Sequence, residues 1–416
     1  MDLRGGGGGI HSNNYANGDT VKTVFSDHEV TVFADTEFTQ DVSDGLSQFT
    51  SKVQAKNSID DSDIGEIVIF DGKWIYENNN ALTNQLINDL IKQGIPTLFI
   101  DSDSYLFKCS DINIQSLEFS ENTVAYGVFE NESGIDITYS IEGEGRINAA
   151  SMLYAWASEM ISGKDPQFVA ETLSWMNTKN TPTTDEVSLY SNAPLGASVS
   201  AQWVKILDNT VSIRCDDYGY FSERTVAFKL NNYTLDTAND YYSFHYYQYA
   251  QPTGDGRTAD IYLQWQYAAN GPKLVEFSPN TTSGTNSSSA GVSLGMGIIN
   301  ASASYSTSWS YSISDVVLHN SSKIATNEVN FWHDVSENRA VGSSTYYVEP
   351  CITVKVPKGT PYQHVDVHKV QFCKRYIIPI MPSFFNIQAL KYALLGPDYY
   401  YDSYKTYTLT YSVNIK

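Results

Sequence analysis

His364, Asp366 and His368 alternate with Val365 and Val367. On a strand, side chains repeat every two residues, so the three polar groups share one face. Two imidazoles and a carboxylate that close are candidate ligands for one metal ion. Imidazoles also change charge near pH 6, so the same trio is a candidate pH switch. The plainer reading is a solvated sheet face. Asp71 follows one apolar run, and Asp101 and Asp103 follow another. Ligands of open α/β sheets collect past the carboxyl ends of the strands, where these acids would meet a cation or a hydroxylated ligand. Capping of turns and helices explains them equally well. Asp216-Asp217 and the Glu142-Gly143-Glu144 turn stand alone. The chain has no GxSxG, HExxH, GxGxxG or Walker A motif. No catalytic residue and no cofactor is therefore expected, and the chain is read as a non-enzyme, with a secreted hydrolase as an outside alternative.

The elements that must carry these residues fall into two regimes. Residues 1–27 read as a flexible, glycine-rich leader. From 28 to 178 the pattern is that of a small α/β domain with a parallel sheet. Val30, Val32 and Phe33 mark a strand; Val42, Leu46, Phe49 and Val53 recur at helical spacing; Ile67–Phe70 is an apolar strand. Leu82, Leu86, Leu90 and Ile91 mark a helix that stops at Gly94 and Pro96, before a strand at Thr97–Ile100. A strand pair near 123–141 and helices near 147–162 and 167–177 complete the domain, and 178–185 is the linker. Residues 185–416 switch to period two, predicting a larger, all-β, mostly antiparallel domain. Its strands are expected at 199–206, 211–215, 225–230, 241–249, 259–267, 329–335, 344–349, 352–356, 365–372 and 399–414, with one helix near 383–395. The fold class is thus α+β and multidomain.

One stretch of the β-rich part is unlike the rest. Ala301, Ala303, Tyr305, Thr307, Trp309, Tyr311 and Ile313 alternate with Ser302, Ser304, Ser306, Ser308, Ser310, Ser312 and Ser314. Before it, Ala290, Val292, Leu294, Met296 and Ile298 alternate with glycine and serine. The two halves form a hairpin turning near Ile299–Asn300, with an apolar face and a hydroxyl face. No charged residue lies between Phe277 and Ser314. Transmembrane β-strands need about 9–11 residues, apolar outward and polar inward. Open strand edges cannot enter lipid, so several copies would each contribute one hairpin to a closed barrel. An ordinary sheet with one wet face fits the same alternation.

The 416 residues carry a net charge of −21, with a pI near 4.6. That excludes a basic nucleic-acid footprint and simple docking on anionic lipid. Thirty tyrosines and a charged fraction of 18% suit a secreted or cell-surface β-protein. Tyr246, Tyr247 and Tyr249 in one cluster, and Tyr399, Tyr401 and Tyr404 in another, are candidates for contact with membrane lipid or glycan. Cross-strand aromatic pairing is the plainer alternative. Cys109, Cys215, Cys351 and Cys373 show no CxxC spacing; Cys351 and Cys373 pair, or all are buried thiols. The amino terminus lacks the apolar core of a secretory signal. Asn-x-Ser/Thr sequons cluster around the hairpin, and sugar on Asn300 would oppose passage of the turn through a membrane.

The uncharged Ser/Gly-rich stretch at 290–314, set among aromatic β-segments and followed by Phe331-Trp332, resembles the bacterial β-barrel pore-forming toxins of the leukocidin and haemolysin type, including the Vibrio cytolysin branch. The resemblance covers residues 185–416. It implies a soluble monomer that assembles into a homo-oligomer on a membrane and inserts one hairpin per copy. By that resemblance Val292, Leu294, Met296, Ile298, Ala301, Ala303, Tyr305, Trp309, Tyr311 and Ile313 face lipid. Ser302, Ser304, Ser306, Ser308, Ser310 and Ser312 line a lumen. The front α/β domain is foreign to that pattern. A non-lytic adhesin or carbohydrate-binding protein is the competing expectation.

Overall fold

A computed structural model describes residues 27–47, 49–59, 63–101, 123–132, 134–162, 203–231, 236–253, 256–267, 271–278, 290–294, 305–309, 316–335, 346–348, 350–377 and 400–415. The first part runs β1 (Val30–Phe33), α1 (Thr36–Leu46), β2 (Val53–Lys56), β3 (Ile67–Asp71), α2 (Gly72–Glu77), α3 (Ala81–Lys92), β4 (Thr97–Ile100), β5 (Thr123–Glu130), β6 (Asp136–Glu142) and α4 (Arg146–Ile161). Strands β2, β1, β3 and β4 are parallel, and β5 and β6 add antiparallel. Alternation along the strands sends residues to two layers. Val30, Val32, Ile67, Ile69, Leu98 and Ile100 pack under α1 and α4. Phe33, Val68, Phe70 and Phe99 pack with Trp74, Ile87 and Leu90 of α2 and α3. Helix α4 is buried along most of its length, as a helix that is apolar all round must be. It lies close to the sheet because Gly127 leaves room for the Trp156 ring: a Cβ there would sit 2.7 Å from it.

The second part runs β7 (Trp203–Cys215), β8 (Gly219–Leu230), β9 (Asn239–Pro252), β10 (Gly256–Gln266), β11 (Lys273–Ser278), β12 (Ala290–Leu294), β13 (Tyr305–Trp309), β14 (Val316–Asn320), a 3-10 turn (Ile324–Thr326), β15 (Glu328–Val335), β16 (Tyr346–Val348), β17 (Cys351–Pro357), β18 (Tyr362–Ile377) and β19 (Tyr400–Ile415). Strand β7 pairs parallel with β6. One 12-stranded sheet therefore runs through both parts in the order β11-β17-β9-β8-β7-β6-β5-β4-β3-β1-β2, with β16 on β9. A five-stranded antiparallel sheet, β14-β15-β10-β18-β19, packs across its β-rich end. The chain is mostly β, with a small α/β region followed by a larger antiparallel one.

Several local expectations give way to tertiary pairing. Val53 does not extend the first helix: the helix ends at Leu46, and Val53 opens β2 beside β1. Leu82 is 65% exposed, and α3 buries Thr83, Asn84, Ile87, Leu90 and Ile91 instead. The expected gap between the strands at 199–206 and 211–215 is absent, and β7 is one strand with an irregularity between Lys205 and Leu207. The polar groups find partners sideways. Arg224 grips Asp208 through Nε (2.7 Å) and Nη2 (2.7 Å), and Thr138 Oγ1 donates to Asn209 Oδ1 (2.8 Å). Cys351 and Cys373 lie on different sheets and form no disulfide with each other; with Cys215 they are buried thiols. The expected linker at 178–185 and the helices near 167–177 and 383–395 fall outside the described residues.

Candidate functional site

The ribbon β12–β13 is a sheet of its own, and among the described residues no other strand pairs with it. Ala290 is opposite Trp309, Gly291 opposite Ser308, Val292 opposite Thr307, Ser293 opposite Ser306 and Leu294 opposite Tyr305. The two alternations are therefore in phase. Apolar positions of one strand meet apolar positions or threonine of the other, and small or hydroxyl positions meet each other. The register is centred between Ile299 and Asn300, where the sequence places the turn. Of the candidate lipid-facing residues, Val292, Leu294, Tyr305 and Trp309 lie on these paired strands, as do Ser306 and Ser308 of the candidate lumen set. Met296, Ile298, Ala301, Ala303, Tyr311, Ile313, Ser302, Ser304, Ser310 and Ser312 fall outside the described residues.

The ribbon leaves from β11, an edge of the large sheet, and returns into β14, an edge of the small one. The segments that flank it are tied together. Asn327, in the left-handed region at φ 53°, accepts the Leu274 N–H on its Oδ1 (3.0 Å), while its carbonyl accepts the Tyr267 N–H (3.4 Å). A register shift between Leu274 and Glu276 changes which residues of β11 face the core. Leu274 is opposite Val354 and Phe277 opposite Ile352, both in the core, whereas Glu276 is opposite Thr353. Burial pushes the half-buried Glu276 carboxyl up to about 7. It is the last charge before the ribbon.

His364, Asp366 and His368 do share a face of β18, but that face is interior. All three are 0% exposed, which corrects the expectation of a solvated face. Asp366 Oδ2 accepts from the Tyr246 hydroxyl (2.8 Å), and His364 Nε2 lies 2.9 Å from that hydroxyl and from Asp366 Oδ2. A phenol has one proton to give, so His364 Nε2 carries a hydrogen and donates. Gln248 Nε2 donates to His368 Nδ1 (2.8 Å) and to the Tyr262 carbonyl (3.2 Å). These are two separate hydrogen-bonded groups rather than one coordination sphere. No cluster of three ligating side chains that could hold a metal occurs among the described residues. The candidate metal site is thereby corrected: His364 and Asp366 meet at Tyr246 while His368 turns to Gln248, so the three do not gather as one ligand set.

The tyrosine candidates divide. Tyr246 is buried, and burial holds its hydroxyl well above the usual phenol range. Tyr247 is also buried, under the Arg224 guanidinium, 5.8 Å from the ring centroid. Neither presents a surface to lipid or glycan in this fold, because strand β9 is central and both its faces are covered. Tyr249 is half-buried and Tyr404 is 44% exposed. Tyr401 lies on β19, and Tyr399 falls outside the described residues. In the α/β region Asp71 caps α2, accepting from Lys73 N (3.0 Å), and burial raises its carboxyl, with Asp101 and Asp35 adding to the rise. Asp101 accepts from Arg146 Nε (2.9 Å) and Nη2 (2.6 Å), and Asp41 accepts from Nη1 (2.6 Å). Capping and ion pairing thus account for Asp71 and Asp101; Asp103 falls outside the described residues.

No protein-family model matches the sequence, and no curated protein matches it. Among solved structures, one described as a pore forming protein is similar to this chain with a TM-score of 0.28 and 8% identity, over 49% of this chain and 90% of that one. A superposition this loose says nothing about activity.

Proposed function

We propose that this chain is a secreted or cell-surface pore-forming-toxin-like protein, not an enzyme, that assembles into a homo-oligomer on a membrane. Each copy contributes residues 290–314 to a shared barrel. The observation that carries this reading is the ribbon. Its strands pair in phase, it belongs to neither large sheet, and it lies in a stretch from Phe277 to Ser314 without a charge. An in-phase ribbon has one side suited to hydrocarbon and one suited to water. The acidic exterior keeps copies apart in solution, so the target is bound through lipid interface or surface glycan rather than through anionic headgroups. Exposed aromatics such as Tyr404 suit that contact.

The test is dye release from liposomes by the wild type and by Tyr305→Arg. Arginine at a lipid-facing strand position costs about 2–4 kcal/mol per copy near the bilayer midplane. Release is expected to fall by an order of magnitude or more, with the thermal unfolding of the soluble protein unchanged. Full lysis by the variant would remove the ribbon from the inserting role. Binding to a glycan array without release from any liposome would favour an adhesin.

A further inference from the structure

Between the two sheets the core is not continuous. One apolar cluster gathers Phe244, Leu263, Trp265, Phe331, Ile352 and Val354. A second gathers Val211, Phe221, Ala250, Ile261, Val370 and Phe372. The inner faces of three strands pass from the first to the second through polar residues: Thr225 and Glu223 on β8, Tyr246 and Gln248 on β9, and His364, Asp366 and His368 on β18. All seven are buried. The belt is also incompletely bonded. Among the described residues, His364 Nδ1, His368 Nε2, Asp366 Oδ1, Glu223 Oε2 and Gln248 Oε1 are buried and find no hydrogen-bond partner. Unsatisfied buried polar atoms weaken an interface that apolar residues of the same shape would hold.

We infer that this belt is an acid-labile joint: protonation at His368 parts the two sheets and loosens the ribbon rooted in both. The second half of that statement rests on the proposed membrane role. The first does not. His368 Nδ1 already accepts from Gln248, so its protonation turns an accepted hydrogen bond into a donor facing a donor. The titratable groups that reach His368 are Tyr246, His364 and Asp366, with Glu223 close to Asp366, and the pull of Asp366 does not outweigh burial. Burial keeps Glu223 protonated well above the usual carboxylate range. Asp366 is already shared by His364 and Tyr246. Burial pushes His368 down to about 4, against the pull of Asp366, and His333 down to about 4. The unfolded chain therefore takes up these protons first as pH falls below about 6.5, and the stability they withhold is lost between about 6.5 and 4.

Hydrogen exchange of the full chain, read by peptide mass at matched exchange and stepped from pH 7.5 to 4, tests the joint without any membrane. Strands β9 and β18 are expected to lose protection before β3 and β4. His368→Gln is expected to move that loss to lower pH by about half a unit, whereas His319→Gln, at an exposed imidazole, leaves it in place. Loss of protection everywhere at one pH, or an unmoved transition in His368→Gln, overturns the joint. If His368→Gln is unfolded at pH 7.5, the order of strand opening in the wild type decides alone. Opening of β9 and β18 without dye release from liposomes at the same pH would leave the joint standing and contradict the membrane role.

Discussion

The Leu274 N–H is bound by Asn327 Oδ1 at 3.0 Å, across 53 residues of chain. One of the two precedes the ribbon and the other follows it, so this bond ties the segments that flank it, at the start of β11 and beyond the end of β14. Glycine at 327 keeps the left-handed backbone without strain but removes the acceptor. Asn327→Gly is predicted to lower unfolding free energy by about 1 kcal/mol and to shorten the lag before dye release. A lengthened lag, with the stability loss confirmed by urea titration, would show that the tie helps insertion rather than restraining it.

Glu223 predicts a stability difference that depends on pH. Its folded carboxyl is raised by burial, so its contribution is whole below the unfolded value near 4.5 and is lost as pH rises toward the folded value. Glu223→Gln is therefore predicted to match the wild type near pH 4.5 and to exceed it at pH 8 by about 1–3 kcal/mol. Urea unfolding at the two pH values measures this. An equal difference at both would assign the effect to packing.

Asp208 predicts the opposite slope. Burial works to raise its carboxyl, but Arg224 and Lys205 outweigh it and hold it low. Its stability is present above the unfolded value and lost as pH falls through the folded one. Asp208→Ala leaves the buried Arg224 guanidinium without its bidentate partner and should cost about 3–5 kcal/mol at pH 7. Asp208→Ala with Arg224→Met should recover part of that loss in calorimetry.

Gly127 is predicted to tolerate no side chain. A Cβ would meet the Trp156 ring at 2.7 Å and Leu98 Cδ2 at 3.1 Å, both buried. Gly127→Ala should cost about 1–3 kcal/mol, seen as a lower unfolding midpoint. Release per folded molecule should be unchanged, because the strain lies far along the sheet from the ribbon.

Much of this fold is legible in the residues. Ile67–Phe70 and Thr97–Ile100 read as parallel strands because both their faces are apolar, and the ribbon reads as a hairpin because its alternation is unbroken. What local pattern cannot carry is partnership at a distance. Asp208-Asn209 falls between two expected strands until Arg224 and Thr138 arrive from other strands. The His364–His368 alternation predicts a shared face correctly and its environment wrongly, since only the second sheet shows that the face is sealed. Tyr246 and Gln248 sit in a tyrosine-rich run that reads as surface aromatics; their role as partners of β18 has no local signal. Asn327 is a lone asparagine in a turn, and its hold on Leu274 is visible only in three dimensions.

The central claim is that residues 290–314 enter hydrocarbon with alternate residues facing lipid. An environment-sensitive probe on Tyr305→Cys or Ser306→Cys, in a Cys109→Ser background, tests it, since the remaining cysteines are buried. On adding liposomes, the probe at 305 is predicted to shift to the blue and to be quenched by lipid-borne quenchers, while the probe at 306 stays open to aqueous quenchers. Identical responses at the two positions, or no response at either while dye is released, would contradict the account.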